Sequence, residues 1–239
     1  MSSSGQEDEL EVLSRELAAR TGGGLRKVWR SRVWHFTVWS AYAVKRGIDI
    51  VVAGVAMVLL LPLFVVTYLA IRLTSKGPAF FAQTRVGRDG RHFAFYKFRS
   101  MYIDAEARKD ALLAQNESTG GVIFKMKNDP RITPVGRFIR KFSIDELPQL
   151  WNVLKGDMTL VGPRPPVPRE VALYSLEERK RLNVIPGITC LWQVSGRSDI
   201  PFQEQVRLDK EYIRTHGVWN DLKILLRTVP AIISGKGAY

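Results

Sequence analysis

The chain has 239 residues, with 36 Lys and Arg against 23 Asp and Glu, a formal net charge of +13 and a sequence pI of about 10.1. Its single cysteine, Cys190, excludes an intramolecular disulfide and is typical of a reducing compartment. Its polar, acidic first residues argue against a signal peptide. The excess of positive charge suits a nucleic acid, an anionic membrane surface or a phosphate-bearing substrate as partner.

The first part of the chain divides into two segments of different composition. Residues 1–24 are polar and end in glycines, so we expect a flexible N-terminal segment. Residues 25–44 interleave aromatic side chains, among them Trp29, Trp34 and Trp39, with arginines and lysines. Amphipathic aromatics beside cations are typical of the headgroup layer of a membrane, which favours an interfacial segment. The alternative is a helix packed on the globular domain.

An apolar run extends from Ile50 to Ile71 without a charged side chain, and Pro62 lies near its middle. Its length would let a straight helix cross the ~30 Å hydrocarbon core of a bilayer. Basic residues flank both ends, whereas a crossing helix usually has one basic, cytoplasmic side. Because proline bends or breaks a helix, two interpretations of segment 45–76 remain. It is either a re-entrant hairpin that returns to the same membrane face or a kinked spanning helix.

Residues 77–239 are numerous enough for one globular domain. Two strands, 78–84 and 92–98, are predicted around a turn that contains Asp89 and Gly90, a typical hairpin signal. A turn is also expected at 186–189. We therefore predict a mainly helical α+β fold with a small β-hairpin and amphipathic interfacial helices. The helical periodicity predicts helices at 100–118, 133–142, 147–155, 169–182, 202–214 and about 218–234.

The densest group of polar residues follows the basic helix predicted at 133–142. Ser143 and Glu146 have the spacing of a capping box, which is a purely structural role. Capping does not require Asp145, nor the cation Arg140 shortly before it. A carboxylate near a helix N-terminus and among arginines is favoured in its ionised form, which suits a nucleophile or a Mg²⁺ ligand. The spacing alone leaves both the structural and the catalytic role open.

Two further segments present an arginine that suits an anion. Arg164 lies between Pro163 and Pro165, which fix the local backbone, and a guanidinium on a stiff platform is well suited to bidentate binding of phosphate. Arg197 follows Gly196 and lies beside polar side chains, a second arrangement that suits an anion. Each of these motifs alone is common on protein surfaces.

Segments 95–101, 145–146, 152–158, 161–165 and 186–189 form an ordered set of motifs. In this order they resemble the monotopic polyprenol-phosphate phosphoglycosyl transferases of the bacterial sugar transferase family. The resemblance extends from Lys45 to about Ile233. Two positions depart from the family pattern: Leu61 precedes Pro62 where many members have Ser, and Cys190 stands where Gly is common.

The resemblance implies a two-step reaction. Asp145 would attack the phosphate that bears the sugar in a UDP-sugar and release UMP, and a membrane polyprenol phosphate would then take the phosphosugar from the carboxylate. In bacteria this lipid would be undecaprenyl phosphate, and its loading would initiate an exopolysaccharide, capsule or O-antigen chain. Asp145 and Glu146 are the implied catalytic and metal-binding pair, with Mg²⁺, or Mn²⁺ in its place, as cofactor. The expected substrate and phosphate contacts are Lys97, Arg99, Arg140, Arg164, Gln193, Arg197 and Asp209.

The resemblance also implies a monotopic protein of the bacterial inner membrane, in contact with its lipids, with residues 77–239 in the cytoplasm. It leaves a homodimer open. A nucleic-acid binder is disfavoured because no recognisable binding motif accompanies the positive charge. A scaffold without activity is disfavoured because the Asp145 and Glu146 pair is intact. Segment 191–197 resembles that of family members which start exopolysaccharide or O-antigen chains with glucose- or galactose-1-phosphate more than that of members which use N-acetylated sugars.

Overall fold

The computed structural model describes residues 24–108, 111–112, 126, 128–235 and 237, and for 24–39 and 41 it describes the backbone alone. By its internal contacts the chain separates into two compact units, residues 1–45 and 46–239. The described residues are mainly helical with two small two-stranded sheets, so the predicted α+β class is confirmed. The domain limits predicted after residues 24, 44 and 76 stay predictions.

Two helices meet at the proline of the apolar run. Helix α1 spans Gly24–Leu59 and helix α2 spans Leu61–Thr74, with Pro62 in the first turn of α2. Proline has no N–H to donate to the carbonyl of Val58, so the predicted break occurs here. No helix among the described residues is alone long and apolar enough to cross a membrane. The segments Tyr42–Leu59 and Leu61–Thr74 meet those criteria together, with a bend of 60° between them.

Polar contacts fix the part of α1 that follows residue 45 to the rest of the unit formed by residues 46–239. Arg46 donates a hydrogen bond of 2.5 Å to the carbonyl oxygen of Val153. Asp49, which is 4% exposed, accepts from the hydroxyl of Thr159 at 2.5 Å and from the N–H of Leu160 at 3.2 Å. A buried carboxylate needs such donors to offset its lost hydration, so these bonds set the orientation of this part of α1.

Strands β1, Phe80–Val86, and β2, His92–Phe98, form the predicted antiparallel hairpin. The chain reverses through a 3₁₀ turn in which Asp89 and Gly90 adopt left-handed conformations, with φ of 57° and 79°. Both residue types tolerate this conformation, which explains the turn signal. Strand β1 starts and ends later than the predicted 78–84. The N–H of its last residue, Val86, bonds to the carbonyl of Pro166 at 2.9 Å.

Further helices and a second strand pair follow in the described chain. Strands β3, Thr159–Val161, and β4, Gly187–Thr189, pair in parallel, so the prediction of a turn at 186–189 is wrong. The helices are α3 Pro134–Lys141, α4 Gln149–Lys155, α5 Pro168–Ala172, α6 Leu176–Arg179, α7 Phe202–Thr215 and α8 Val218–Ser234, with 3₁₀ turns at Ile144–Glu146, Lys180–Asn183 and Arg197–Asp199.

Two helix predictions differ from the structure. The predicted helix 169–182 is interrupted, because Ser175 and Glu178 form a capping box that starts α6. The hydroxyl of Ser175 accepts from the N–H of Glu178 at 3.3 Å, and the carboxylate of Glu178 accepts from the N–H of Ser175 at 2.7 Å. Residues 103–108 form turns in place of the predicted helix 100–118, most of whose remainder lies outside the described residues.

A buried asparagine ties β2 to α4. The side chain of Asn152 accepts from the N–H of Tyr96 at 3.1 Å and donates to the carbonyl of Ala94 at 2.7 Å. The core around it therefore fixes β2 relative to the loop between α3 and α4, where the polar residues of the site lie. The apolar side chains of this core are Ala53, Phe95, Leu150, Val153, Met158, Leu160, Val161, Tyr212 and Ile224.

Replacing Asn152 with leucine should leave the N–H of Tyr96 and the carbonyl of Ala94 without partners. We expect Asn152→Leu to lower the free energy of unfolding by about 2–4 kcal/mol, the cost of such unsatisfied groups. Chemical denaturation measures it. Trp151→Leu is the matched control, because this neighbouring side chain is 52% exposed. Equal losses in the two variants would contradict the role given to Asn152.

Candidate active site

A cleft of about 520 Å³ lies between the β-hairpin and the loops that follow α3, β3 and β4. This volume is in the usual range for small-molecule sites. Asp209 is the one site residue predicted from the sequence that does not line it. The fold brings the others together from segments far apart in the chain: Lys97, Arg99, Arg140, Asp145, Glu146, Arg164, Gln193 and Arg197.

Two adjacent carboxylates share one lysine in the wall of this cleft. The Nζ of Lys97 lies 3.3 Å from Oδ2 of Asp145 and 2.8 Å from Oε1 of Glu146. The Nη1 of Arg164 lies 2.9 Å from the same oxygen of Glu146. Among the described residues, Oδ1 of Asp145 accepts no hydrogen bond. One oxygen of Asp145 is therefore held and the other is available to a ligand.

The charge state of Glu146 follows from its neighbours. Burial by itself raises the pKa of this carboxyl, but the charges and hydrogen bonds of Arg164 and Lys97 outweigh that effect. The pKa of Glu146 is therefore held well below its ordinary range. Glu146 stays ionised at neutral pH and anchors two cations beside Asp145.

An uncommon backbone conformation at Ser143 starts the 3₁₀ turn that carries both carboxylates. Its φ of 54° and ψ of 21° are left-handed, which is rare for a residue other than glycine. The predicted capping box of Ser143 and Glu146 is wrong, since the Ser143 hydroxyl makes no capping bond. That hydroxyl accepts from Nη2 of Arg197 instead.

Arg85, which the sequence analysis did not single out, holds the loop of Arg164 on strand β1. Its Nη1 donates to the carbonyl of Pro165 at 2.9 Å, and its guanidinium lies 5.1 Å from the ring centre of Phe95. Burial, and then the charge of Arg164, lower the pKa of Arg85 to about 10, so it keeps its charge at neutral pH. The alternation of side chains along a strand could have identified Arg85, since Gln83 and Arg85 share one face of β1 and both line the cleft.

Asp209 acts on the cleft through a second arginine that the sequence analysis missed. The Nη2 of Arg181 lies 2.6 Å from Oδ2 of Asp209, and both side chains are buried. Burial raises the pKa of Asp209 to about 6, and the ion pair offsets this only in part. Because Arg181 lines the cleft, Asp209 holds a cation in the wall of the cleft through this ion pair.

The remaining predicted residues are held in different ways. Arg99 donates to the carbonyl of Ser75 at 3.0 Å and to its hydroxyl at 2.7 Å, which fastens the end of α2 to β2. Arg140 lies in the last turn of α3. The amide oxygen of Gln193 accepts from the thiol of Cys190 at 3.0 Å. Burial raises the pKa of that thiol, so Cys190 is a neutral packed group.

The described residues contain no group of three or more His, Cys, Asp or Glu side chains that could hold a metal ion. Magnesium usually binds one or two protein carboxylates and takes its other ligands from water and substrate phosphates. Asp145 and Glu146 supply this smaller set in a cleft whose wall contains more cations than carboxylates. The residues present therefore fit a magnesium ion that binds together with a diphosphate.

Residues 40–235 match the protein family described as Bacterial sugar transferase. The chain is 50% identical to the galactosyl transferase CpsE of Streptococcus agalactiae, over 85% of this chain and 45% of that protein. It is 45% identical to the undecaprenyl-phosphate galactose phosphotransferase of Salmonella typhimurium, over 84% and 42%. It is 41% identical to the UDP-glucose:undecaprenyl-phosphate glucose-1-phosphate transferase of Caulobacter vibrioides, over 82% and 72%. The chain thus spans less than half the length of the first two relatives.

We expect the buried ion pair of Arg181 and Asp209 to contribute to the free energy of unfolding. Removing one member leaves the other charge buried and unpaired, so Arg181→Gln and Asp209→Asn should each lower the free energy of unfolding by about 3–5 kcal/mol. The double variant should lose less than the sum of the two, because neither buried charge remains. A double-mutant cycle in chemical denaturation measures this coupling. Strictly additive losses would show that the pair contributes no interaction energy.

Proposed function

This chain belongs to the bacterial sugar transferase family, and we propose that it transfers a sugar-1-phosphate from a UDP-sugar to undecaprenyl phosphate. The names of two relatives support the lipid acceptor, and one of these names contains a UDP-sugar as donor. The observation that carries the proposal is the pair of Asp145 and Glu146, clamped by Lys97 and Arg164 in a cation-rich cleft. The transfer would initiate exopolysaccharide, capsule or O-antigen assembly.

In the first step, an oxygen of Asp145 attacks the phosphorus that bears the sugar. A bond forms between that oxygen and the phosphorus, and the bond from phosphorus to the bridging oxygen of the diphosphate breaks. UMP leaves with the bridging oxygen, and no proton transfer is needed. Lys97 holds Oδ2 of Asp145, so Oδ1 is the oxygen that is free to attack.

The cations of the cleft bind the charge that the donor brings. Arg164 is fixed by Glu146 and by the docked proline loop, so its guanidinium is oriented before the substrate arrives. Arg85 and Arg181 add charge to the same wall. A bound Mg²⁺ would neutralise part of the diphosphate charge and so stabilise the leaving UMP.

In the second step, a phosphate oxygen of the polyprenol phosphate attacks the phosphorus carried by Asp145. The new diphosphate bond forms as the bond from phosphorus to Asp145 breaks, and the free carboxylate returns. Both displacements occur at phosphorus, and the same carboxylate is the nucleophile in the first and the leaving group in the second. This sequence predicts ping-pong kinetics. For the sugar we propose galactose or glucose over their N-acetylated derivatives, supported by the sugars in the names of the relatives. UMP release from a panel of UDP-sugars distinguishes these.

We further propose that α2 and the second half of α1 form a re-entrant hairpin in the inner membrane. The bend of 60° at Pro62 and the basic residues at both flanks support this topology. Such a hairpin would hold the cleft at the surface where a soluble nucleotide sugar meets a lipid acceptor.

The nucleophile is tested by trapping the intermediate. Incubation of the protein with the UDP-sugar and Mg²⁺, without lipid, should give a phosphosugar adduct on Asp145 by mass spectrometry. Asp145→Asn should lower turnover by at least about 1000-fold, because a neutral amide is a far weaker nucleophile than a carboxylate. Asp89→Asn, at an exposed turn, is the matched control and should keep full activity. An Asp145→Asn protein that retains most of its activity would refute the assignment.

Phosphate binding is tested at the metal and at Arg164. EDTA should stop UMP release, and Mg²⁺ should restore it. Arg164→Lys should lower kcat/KM roughly 10- to 100-fold, because a lysine cannot reproduce the planar fork of a guanidinium. Arg207→Lys, at an exposed arginine of α7, is the matched control. Full activity in EDTA, or in Arg164→Lys, would contradict this phosphate site.

The topology is tested by labelling from outside the inner membrane with an impermeant thiol reagent. Ser40→Cys and Thr74→Cys, each in a Cys190→Ser background, should both stay unlabelled from that side in the re-entrant form. Pro62→Leu restores a backbone donor within the apolar run. Part of that variant should therefore convert to a spanning form, with one site accessible from outside and with less activity. External labelling of one site in the otherwise unchanged chain would refute the hairpin.

A further inference from the structure

A second, smaller cavity of about 100 Å³ adjoins the cleft, and we call it the side groove. Four residues line both cavities, so the two meet at a junction formed by Ser143, Glu146, Gln193 and Arg197. Beyond this junction the wall is mainly apolar and comes from the end of the 3₁₀ turn before α4, from α4 and β4, from the loop after β4 and from α8. Its apolar side chains are Leu147, Leu150, Ile188, Val194, Ala231 and Ile232.

The junction contains two residues in an uncommon backbone conformation, and one of them is an arginine with an unpaired hydrogen-bond donor. Ser143 and Arg197, which are hydrogen-bonded to each other, have left-handed φ of 54° and 55°. Such conformations cost energy outside glycine and concentrate at functional sites. Nη1 of Arg197 is buried and has no hydrogen-bond partner among the described residues. A buried guanidinium donor without a partner favours the binding of an anion at this point.

Helix α8 links the side groove to an apolar surface. Ala231 and Ile232 face the groove, whereas Trp219, Leu226 and Val229 are 79%, 65% and 58% exposed. Exposed apolar side chains that share one helix are typical of contact with lipid or with a partner. One helix thus presents an apolar surface outward and closes an apolar groove that ends at an arginine.

We propose that the side groove binds the first isoprenoid units of the lipid acceptor, with the acceptor phosphate on Arg197. The inference rests on the proposed function and assigns its second substrate to a place in the structure. An apolar chain with one phosphate at its end matches an apolar groove with one cation at its end. The donor is polar along its whole length and would put sugar hydroxyls against leucine and isoleucine side chains, at a desolvation cost.

The junction also brings the acceptor to the reacting phosphorus. The donor cleft and the side groove share Glu146, the neighbour of Asp145. A phosphate held by Arg197 therefore lies beside the carboxylate that carries the phosphosugar. Its oxygen forms the new bond to phosphorus, the bond from phosphorus to Asp145 breaks, and the carboxylate is restored. The groove is too small for a whole polyprenol, so the rest of the chain lies outside it.

Filling the groove tests the proposal. Ala231→Phe on α8 and Val194→Phe on the loop after β4 occupy the groove from two different elements. Each should raise the KM for a short polyprenyl phosphate about tenfold or more, the size of effect that a misfitted apolar pocket produces. Val229→Phe is the matched control, because this residue lies on the exposed side of the same helix. It should leave the KM unchanged.

A lipid-free readout separates this inference from the proposed function. Single-turnover release of UMP, measured without lipid, should be the same in all three variants and in the unchanged protein. An unchanged acceptor KM in both groove variants, or equal loss of the lipid-free step, would overturn the groove assignment alone. If the unchanged protein formed no adduct and released no UMP, the proposed function itself would fail.

A crosslinking experiment gives a readout that does not depend on activity. A polyprenyl phosphate with a diazirine on its first isoprene unit should label residues of the side groove on α8 or β4. Arg197→Gln should reduce this labelling, because the phosphate loses its cation. Labelling confined to the exposed side of α8 would overturn the proposal.

Discussion

Two adjacent carboxylates held in the wall of a cleft are the constraint on which the rest of the site depends. Buried negative charges require cations and hydrogen bonds close by, and here a single lysine serves both. Lys97 lies within 3.3 Å of Asp145 and 2.8 Å of Glu146, and Arg164 completes the set at Glu146. Glu146 is thus an ionised anchor for two cations. Asp145 keeps one oxygen free, and this division of roles is what covalent transfer through Asp145 requires.

The surrounding fold keeps those cations at fixed positions. Asn152 holds β2, and with it Lys97, against the helix that follows the carboxylates. Arg85 docks the proline loop on β1 and so positions Arg164. A charged group placed by rigid elements needs little reorganisation when a substrate arrives, which is the main source of electrostatic catalysis. The arginines that the sequence analysis missed therefore support the ones that it identified.

The sequence predicted the features that depend on local chemistry. Proline at position 62 breaks the apolar helix, and Asp89 with Gly90 makes the hairpin turn, because each acts on its own backbone. The three-residue strands β3 and β4 are too short to show a periodic pattern. The left-handed conformation of Ser143 accompanies a contact with Arg197, more than fifty residues away in the chain. Such features depend on tertiary contacts, which no local pattern contains.

The charge state of Glu146 is the most direct test of this account. Carbon-13 NMR of labelled glutamate, with the signal assigned through Glu146→Gln, measures its titration. We expect no protonation of Glu146 between about pH 8 and about pH 4, since its cations hold the pKa below the ordinary value of 4.5. Lys97→Met should move the titration upward, because burial would then be less well offset. Titration of Glu146 at or above 4.5 in the unchanged protein would contradict the central claim.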